Sequence, residues 1–187
     1  MPLIAIFASG TGTNAENIIK TFSSQQNFQF IVFCNNPTAE VLQRAEKLGV
    51  PSIIFTRRDL YENGTVLQQL LAYKPDLIAL AGFLWLIPAE IIQHFPDKII
   101  NIHPALLPKF GGKGMYGERV HRAVIEANAT VSGITIHYVN ENYDEGQIIF
   151  QASCPVYSWD TPHTLAERVH KLEYEHYPKI IAQLLKK

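Results

Sequence analysis

A chain of 187 residues with 47% hydrophobic and 18% charged content has room for one domain with a sizeable core, and nothing in it requires a second. The formal charge of −1 provides no global field to recruit nucleic acid or an acidic membrane, so an anionic ligand must be held by a local site. Two cysteines, Cys34 and Cys154, stand far apart with no CxxC, which argues against a disulfide scaffold or a structural zinc site. No apolar stretch approaches the roughly 20 residues that a membrane helix needs.

The N-terminus, Met1-Pro2-Leu3-Ile4-Ala5-Ile6-Phe7, has the apolar core of a signal peptide for a few residues only. It lacks a basic start and runs directly into Ser9-Gly10-Thr11-Gly12, so residues 3–8 read as a first strand and the protein as cytoplasmic. A helix is expected over about 14–22 and a second strand over 28–34, closed by Asn35-Asn36-Pro37. Thr38 is placed to cap a helix carrying Val41, Leu42, Ala45 and Leu48, which Gly49 and Pro51 stop. Further strands are expected at 52–55, 76–81 and 98–102, with helices at 66–73 and 88–94, the latter with Pro88 in its first turn.

After Pro108 the pattern changes. Gly111, Gly112, Gly114 and Gly117 punctuate a basic loop that holds Lys109, Lys113 and Arg119. A helix around 120–127 follows, then two long β runs, 132–140 and 147–155, joined by an acidic loop. Thr161-Pro162 opens a last amphipathic helix, with Pro178 a candidate kink. Apolar strands separated by helices predict an α/β fold: a Rossmann-like, mostly parallel sheet with helices on both faces, a C-terminal antiparallel β extension and a terminal helix. Ligands of such sheets bind beyond the carboxyl ends of the strands.

Two segments fall at such ends. Asn101-Ile102-His103-Pro104 closes the fifth strand; a residue before proline favours extended geometry, so Asn101 and His103 share one face. An amide donor beside an imidazole suits oxyanion stabilisation with proton transfer, although a surface asparagine and a satisfied core histidine would read the same way. Asp144, in the turn before Gly146, is either a solvated turn acid or a carboxylate that keeps His103 protonated near neutrality. The other segment is Ser9-Gly10-Thr11-Gly12-Thr13-Asn14, either a plain glycine turn or a phosphate cradle at a helix N-terminus. It carries neither GxGxxG with an acidic partner nor the lysine of a Walker loop, so a phosphomonoester suits it better than a dinucleotide or triphosphate. Residues 82–88, Gly-Phe-Leu-Trp-Leu-Ile-Pro, form either core or a slot for a flat heterocycle. His163, His170 and His176 have no ligand spacing, and no metal is expected.

The segments Ser9-Gly10-Thr11-Gly12-Thr13-Asn14, Leu80-Ala81-Gly82-Phe83, Asn101-Ile102-His103-Pro104-Ala105-Leu106-Leu107-Pro108, and Ser132-Gly133-Ile134-Thr135-Ile136-His137 through Asp144-Glu145-Gly146 together resemble the phosphoribosylglycinamide formyltransferases, folate-dependent enzymes of purine biosynthesis. The likeness runs over essentially the whole chain. It implies one formyltransferase domain over 1–187, with a phosphate-binding half to about residue 100 and a folate and catalytic half after it. It also implies catalytic Asn101, His103 and Asp144, and a phosphate site at Gly12, Thr13 and Asn14. The folate slot would be lined by Leu84, Trp85, Leu86, Ile87 and Asn101 with Arg58 as its base, and Glu173 would lie against glycinamide ribonucleotide. The implied partners are glycinamide ribonucleotide and 10-formyltetrahydrofolate, the latter as co-substrate, in a monomer or homodimer without nucleic acid or membrane. Departures are Trp85 where Met or Arg is more usual, His170 where Gln is common, and a longer glycine-rich loop over 110–121. A formyltetrahydrofolate hydrolase, another folate-dependent formyltransferase and an inactive nucleotide-binding module are the rival readings.

Overall fold

A computed structural model describes residues 1–23 and 28–186. Its centre is a seven-stranded sheet in the order β3-β2-β1-β4-β5-β6-β7. The strands are β1 (Leu3–Ala8), β2 (Gln29–Cys34), β3 (Ser52–Ile54), β4 (Leu77–Leu80), β5 (Ile99–His103), β6 (Val131–Tyr138) and β7 (Ile148–Pro155). The first five run parallel, while β6 pairs antiparallel with β5 and β7 antiparallel with β6. The predicted α/β architecture with a C-terminal antiparallel extension is the one observed.

Alternation along each buried strand divides the core in two. Ile4, Ile6, Val32, Cys34, Leu77, Ala79, Ile100 and Ile102 face one layer, where helices α1 (Thr13–Ser23), α2 (Glu40–Lys47), α6 (Glu118–Glu126) and α7 (Pro162–Leu185) bury their apolar sides. Ala5, Phe7, Ile31, Phe33, Ile78, Leu80 and Ile99 face the other, against α3 (Arg57–Tyr61), α4 (Thr65–Tyr73) and α5 (Ala89–His94). Phe7 and Phe33 stack there with centroids 4.8 Å apart. Strand order reverses direction about β1, whose neighbours are β2 and β4, so a crevice is expected at the carboxyl ends of β1 and β4.

One local expectation is corrected. Thr38 does not cap α2; Asn36 Oδ1 accepts from both the Thr38 amide and hydroxyl, at 3.0 and 2.9 Å, and Ala39 is the N-cap without a side-chain bond. The Asx turn engages the Thr38 hydroxyl, and the Val41 amide that a capping Thr38 would have bound donates instead to the Gly10 carbonyl at 3.2 Å. Helix α3 was not expected: it is one turn of chain with Leu60 as its buried residue, too short for a periodic apolar stripe, and is fixed by a capping box between Thr56 and Asp59. Pro178 lies inside α7, which continues to Leu185. Proline deprives the Tyr174 carbonyl of its helical partner, and Asn17 Nδ2 supplies the missing donor at 2.9 Å. Among the described residues no helix is long and apolar enough to cross a membrane.

Candidate active site

Asn101, His103, Thr135 and His137 form one patch on the sheet. The antiparallel register puts Asn101 opposite His137 and His103 opposite Thr135, so the four side chains project from the same face. Two loops close over them. The Thr135 hydroxyl donates to the Ala105 carbonyl at 2.7 Å and accepts from the Leu107 amide at 3.0 Å, anchoring the turn that follows Pro104. From the other side comes Asp144, in left-handed backbone conformation at φ 57°. Its Oδ2 accepts from the Gly112 amide at 2.9 Å and lies 3.5 Å from His103 Nδ1, and its Oδ1 is 3.4 Å from Asn101 Nδ2. The glycine-rich loop thus contributes a backbone amide to the carboxylate.

His103 is buried, and its Nε2 lies 2.7 Å from the Phe110 carbonyl oxygen. A carbonyl only accepts, so the proton of the neutral ring sits on Nε2 and Nδ1 is bare. Burial lowers the His103 pKa below the ordinary value, outweighing Asp144 and the Phe110 carbonyl, which act in the opposite sense. The expectation that Asp144 keeps His103 protonated at neutrality is therefore corrected: desolvation wins in the free enzyme. Burial acts to raise the Asp144 pKa, but the contacts around the carboxylate, the Gly112 amide among them, hold it below the usual carboxylate value.

The second strand end lies alongside. The Ser9 amide donates to Gly82 O at 3.0 Å, and the Ser9 hydroxyl accepts from the Leu84 amide at 3.0 Å, tying the ends of β1 and β4 together. Gly12 turns the chain into α1 with φ 73°, and a Cβ there would stand 2.3 Å from Val41 Cγ2 and 2.8 Å from its Cα. Only glycine fits. Asn14, in the first turn of α1, donates through Nδ2 to Glu173 at 2.9 Å, while its Oδ1 is buried without a partner among the described residues. Burial raises the Glu173 pKa to about 7.

These parts open on one cleft of about 690 Å³. Residues 10–14, 84–87, Asn101, His103, Asp144 and Glu173 all line it. Segment 82–88 is both core and lining: Ile87 is buried in the second layer, and Trp85 packs edge-on against Phe55. Arg58 is placed elsewhere. It pairs loosely with Glu62 at 3.8 Å on the exposed side of α3, whereas Arg57 reaches back over the Tyr61 and Trp85 rings at 4.9 and 5.8 Å.

Two lining residues were not singled out from sequence. His137 meets Asn101 through Nε2 at 3.1 Å. His121 is buried on α6, edge-on to His170, with Nδ1 unpartnered among the described residues and a pKa pushed down to about 4 by burial. A histidine one place from Val120 and three from Val124, on the apolar face of a helix, was the available signal for His121.

Residues 3–181 match the family model described as formyl transferase. The chain belongs to the formyl transferase family. It is 40% identical to the phosphoribosylglycinamide formyltransferase of Bacillus subtilis over 193 aligned residues, covering 99% of this chain and 95% of that protein. It is 39% identical to the chloroplastic phosphoribosylglycinamide formyltransferase of Arabidopsis thaliana, covering 97% of this chain but spanning only 64% of the plant protein's length. Among solved structures, phosphoribosylglycinamide formyltransferase from Bacillus halodurans superposes with a TM-score of 0.88 at 34% identity, over 99% of this chain and 96% of that one.

Glu173 gives a test of the cleft's electrostatics. A carboxyl raised from 4.5 to about 7 is tolerated while protonated, so its favourable contribution to the fold is fully present below pH 4.5 and is lost as pH rises through about 7. The penalty for ionised Glu173 is on the order of 3 kcal/mol. Glu173→Gln keeps an acceptor for Asn14 without the charge, and is expected to raise Tm at pH 8 clearly more than at pH 5. Calorimetry at the two pH values checks this, and an equal change at both would show that Glu173 does not bury a proton.

Proposed function

We propose that the chain transfers the formyl group from N10 of 10-formyltetrahydrofolate to the primary amine of glycinamide ribonucleotide. The observation that carries this reading is the opening of two strand ends on one cleft: an anion-type glycine loop at β1 and the Asn101, His103 and Asp144 group at β5. The amides at the start of α1, with Gly12, Thr13 and Asn14, suit the ribose 5-phosphate. The unpartnered Asn14 Oδ1 and the Glu173 carboxyl suit donors on the same substrate. The apolar wall at Leu84, Trp85, Leu86 and Ile87 suits the flat pterin, whose edge the backbone reads.

The chemistry then follows from proton positions. The amine attacks the formyl carbon, a C–N bond forms, and the carbonyl electrons move onto oxygen. An Asn101 N–H donates to that oxyanion. Bare His103 Nδ1 takes the proton the amine sheds, and the imidazolium so formed sits 3.5 Å from the Asp144 carboxylate. As the carbonyl re-forms, the C–N10 bond breaks and the proton passes to N10. Neutral tetrahydrofolate and formylated product leave with atoms and charge balanced.

The assay mixes the protein with 10-formyltetrahydrofolate in the presence and absence of glycinamide ribonucleotide. Turnover that depends on the ribonucleotide is expected. Equal turnover without it would make the protein a hydrolase, and none in either case would leave a binding module.

A further inference from the structure

We propose that His137 is a positioning residue for the reaction, locking the Asn101 carboxamide in the orientation that presents an N–H to the oxyanion. The inference rests on the formyl-transfer reading above, although the arrangement it starts from stands on donor and acceptor geometry alone. His137 Nδ1 lies 2.8 Å from the Tyr138 carbonyl oxygen, which only accepts, so Nδ1 carries a proton. Nε2 lies 3.1 Å from the Asn101 amide. That amide atom is also 3.4 Å from Asp144 Oδ1, an acceptor of an ionised carboxylate, so it is the nitrogen and not the oxygen of the carboxamide. Turning the amide over would set its oxygen against the carboxylate. An amide nitrogen only donates, and Asp144 Oδ1 lies 3.7 Å from His137 Nε2, beyond hydrogen-bond length, which leaves Nε2 as the acceptor for Asn101 and the ring as the neutral Nδ1–H tautomer.

The two N–H groups of Asn101 are thus unequal. One is fixed on His137 at an ordinary hydrogen-bond length. The other faces Asp144 Oδ1 at 3.4 Å, too far for a strong bond, and is the one free to move onto an oxyanion forming in the cleft. Without an acceptor at position 137, both N–H groups would turn toward the carboxylate and the oxygen would no longer be held away from the reacting carbonyl.

The surrounding chain holds this tautomer in place. The β6–β7 register shifts between Ile136 and His137, a β irregularity of the kind that re-aims a side chain beside a site. Gly146 sits against the Tyr138 carbonyl so closely that a Cβ there would stand 1.6 Å from the oxygen and 3.3 Å from His137 Nδ1. A side chain at 146 would displace the acceptor that fixes the imidazole proton.

The test combines kinetics with a tautomer measurement. His137→Phe keeps a flat ring without an acceptor, and His137→Gln restores one. For His137→Phe, kcat is expected to fall about tenfold or more while KM for both substrates changes little, with His137→Gln recovering part of the loss. In an Asn101→Ala background the same His137→Phe change is expected to cost less than about twofold, because the group it positions is gone. An equal cost in both backgrounds, or a loss confined to KM, would overturn the proposal. Nitrogen-15 NMR of the unaltered protein reads the ring directly and needs neither a variant nor turnover. A protonated Nδ1 with bare Nε2 supports the lock, and a proton on Nε2 sinks it. If the unaltered protein showed no ribonucleotide-dependent turnover, the functional reading would fail by itself, while the NMR result would still decide the His137–Asn101 hydrogen bond.

Discussion

Asn101→Ala is expected to lower kcat by two to three decades, about 3–4 kcal/mol of transition-state stabilisation, with KM for both substrates nearly unchanged. In the proposed mechanism Asn101 provides the side-chain N–H for the oxyanion, which the ground-state carbonyl needs far less. The substitution should leave the fold intact. Asn101 is only half-buried, and its backbone stays paired with Leu80 on one side and His137 on the other. The vacated space borders the cleft, so water can fill it without stranding a buried polar group. Steady-state kinetics with both substrates varied, beside a thermal melt, checks this. A variant that kept most of its kcat would remove Asn101 from oxyanion stabilisation and, with it, the purpose assigned to His137.

What could be read from the chain, and what could not, follows from range. The parallel strands were legible because burial on both faces leaves apolar runs such as Ile4-Ala5-Ile6-Phe7, and the glycine loop after β1 was legible because it interrupts one. Asn101 and His103 were legible as a pair because a strand ending at proline fixes their common face over three residues. The partnership of Asn101 with His137 spans 36 positions and depends on the antiparallel register of β5 with β6, which no local pattern sets. Likewise the ionisation of His103 is a contest. Sequence can name Asp144 as the group that raises its pKa, but the opposing burial exists only once the loop through Phe110 has closed over the ring. The position of Arg58 was not legible for another reason: α3 is a single turn without an apolar stripe to orient it, and its Arg57 lies over the Trp85 ring while Arg58 pairs with Glu62.

Asp144→Asn is expected to cost at least about a hundredfold in kcat while preserving the site's shape, which makes it the sharper probe of charge. Asparagine tolerates the left-handed backbone at position 144, and its amide oxygen can still accept from the Gly112 N–H, so the loop that closes over His103 has no reason to open. What disappears is the negative charge 3.5 Å from Nδ1. His103 has a lowered pKa even with that carboxylate in place. Without it burial acts unopposed by any carboxylate, and the imidazolium that the proposed mechanism forms at Nδ1 becomes still harder to reach. The free-enzyme histidine should therefore titrate at lower pH in Asp144→Asn than in the parent, shifting the acid limb of the kcat/KM profile downward while its plateau falls. The two movements have one cause, since a weaker base stays unprotonated to lower pH and accepts the amine proton less readily. A pH–rate profile between pH 5 and 9 reads both. If the plateau fell but the acid limb stayed in place, Asp144 would be acting through the position of the loop and not through the proton on His103.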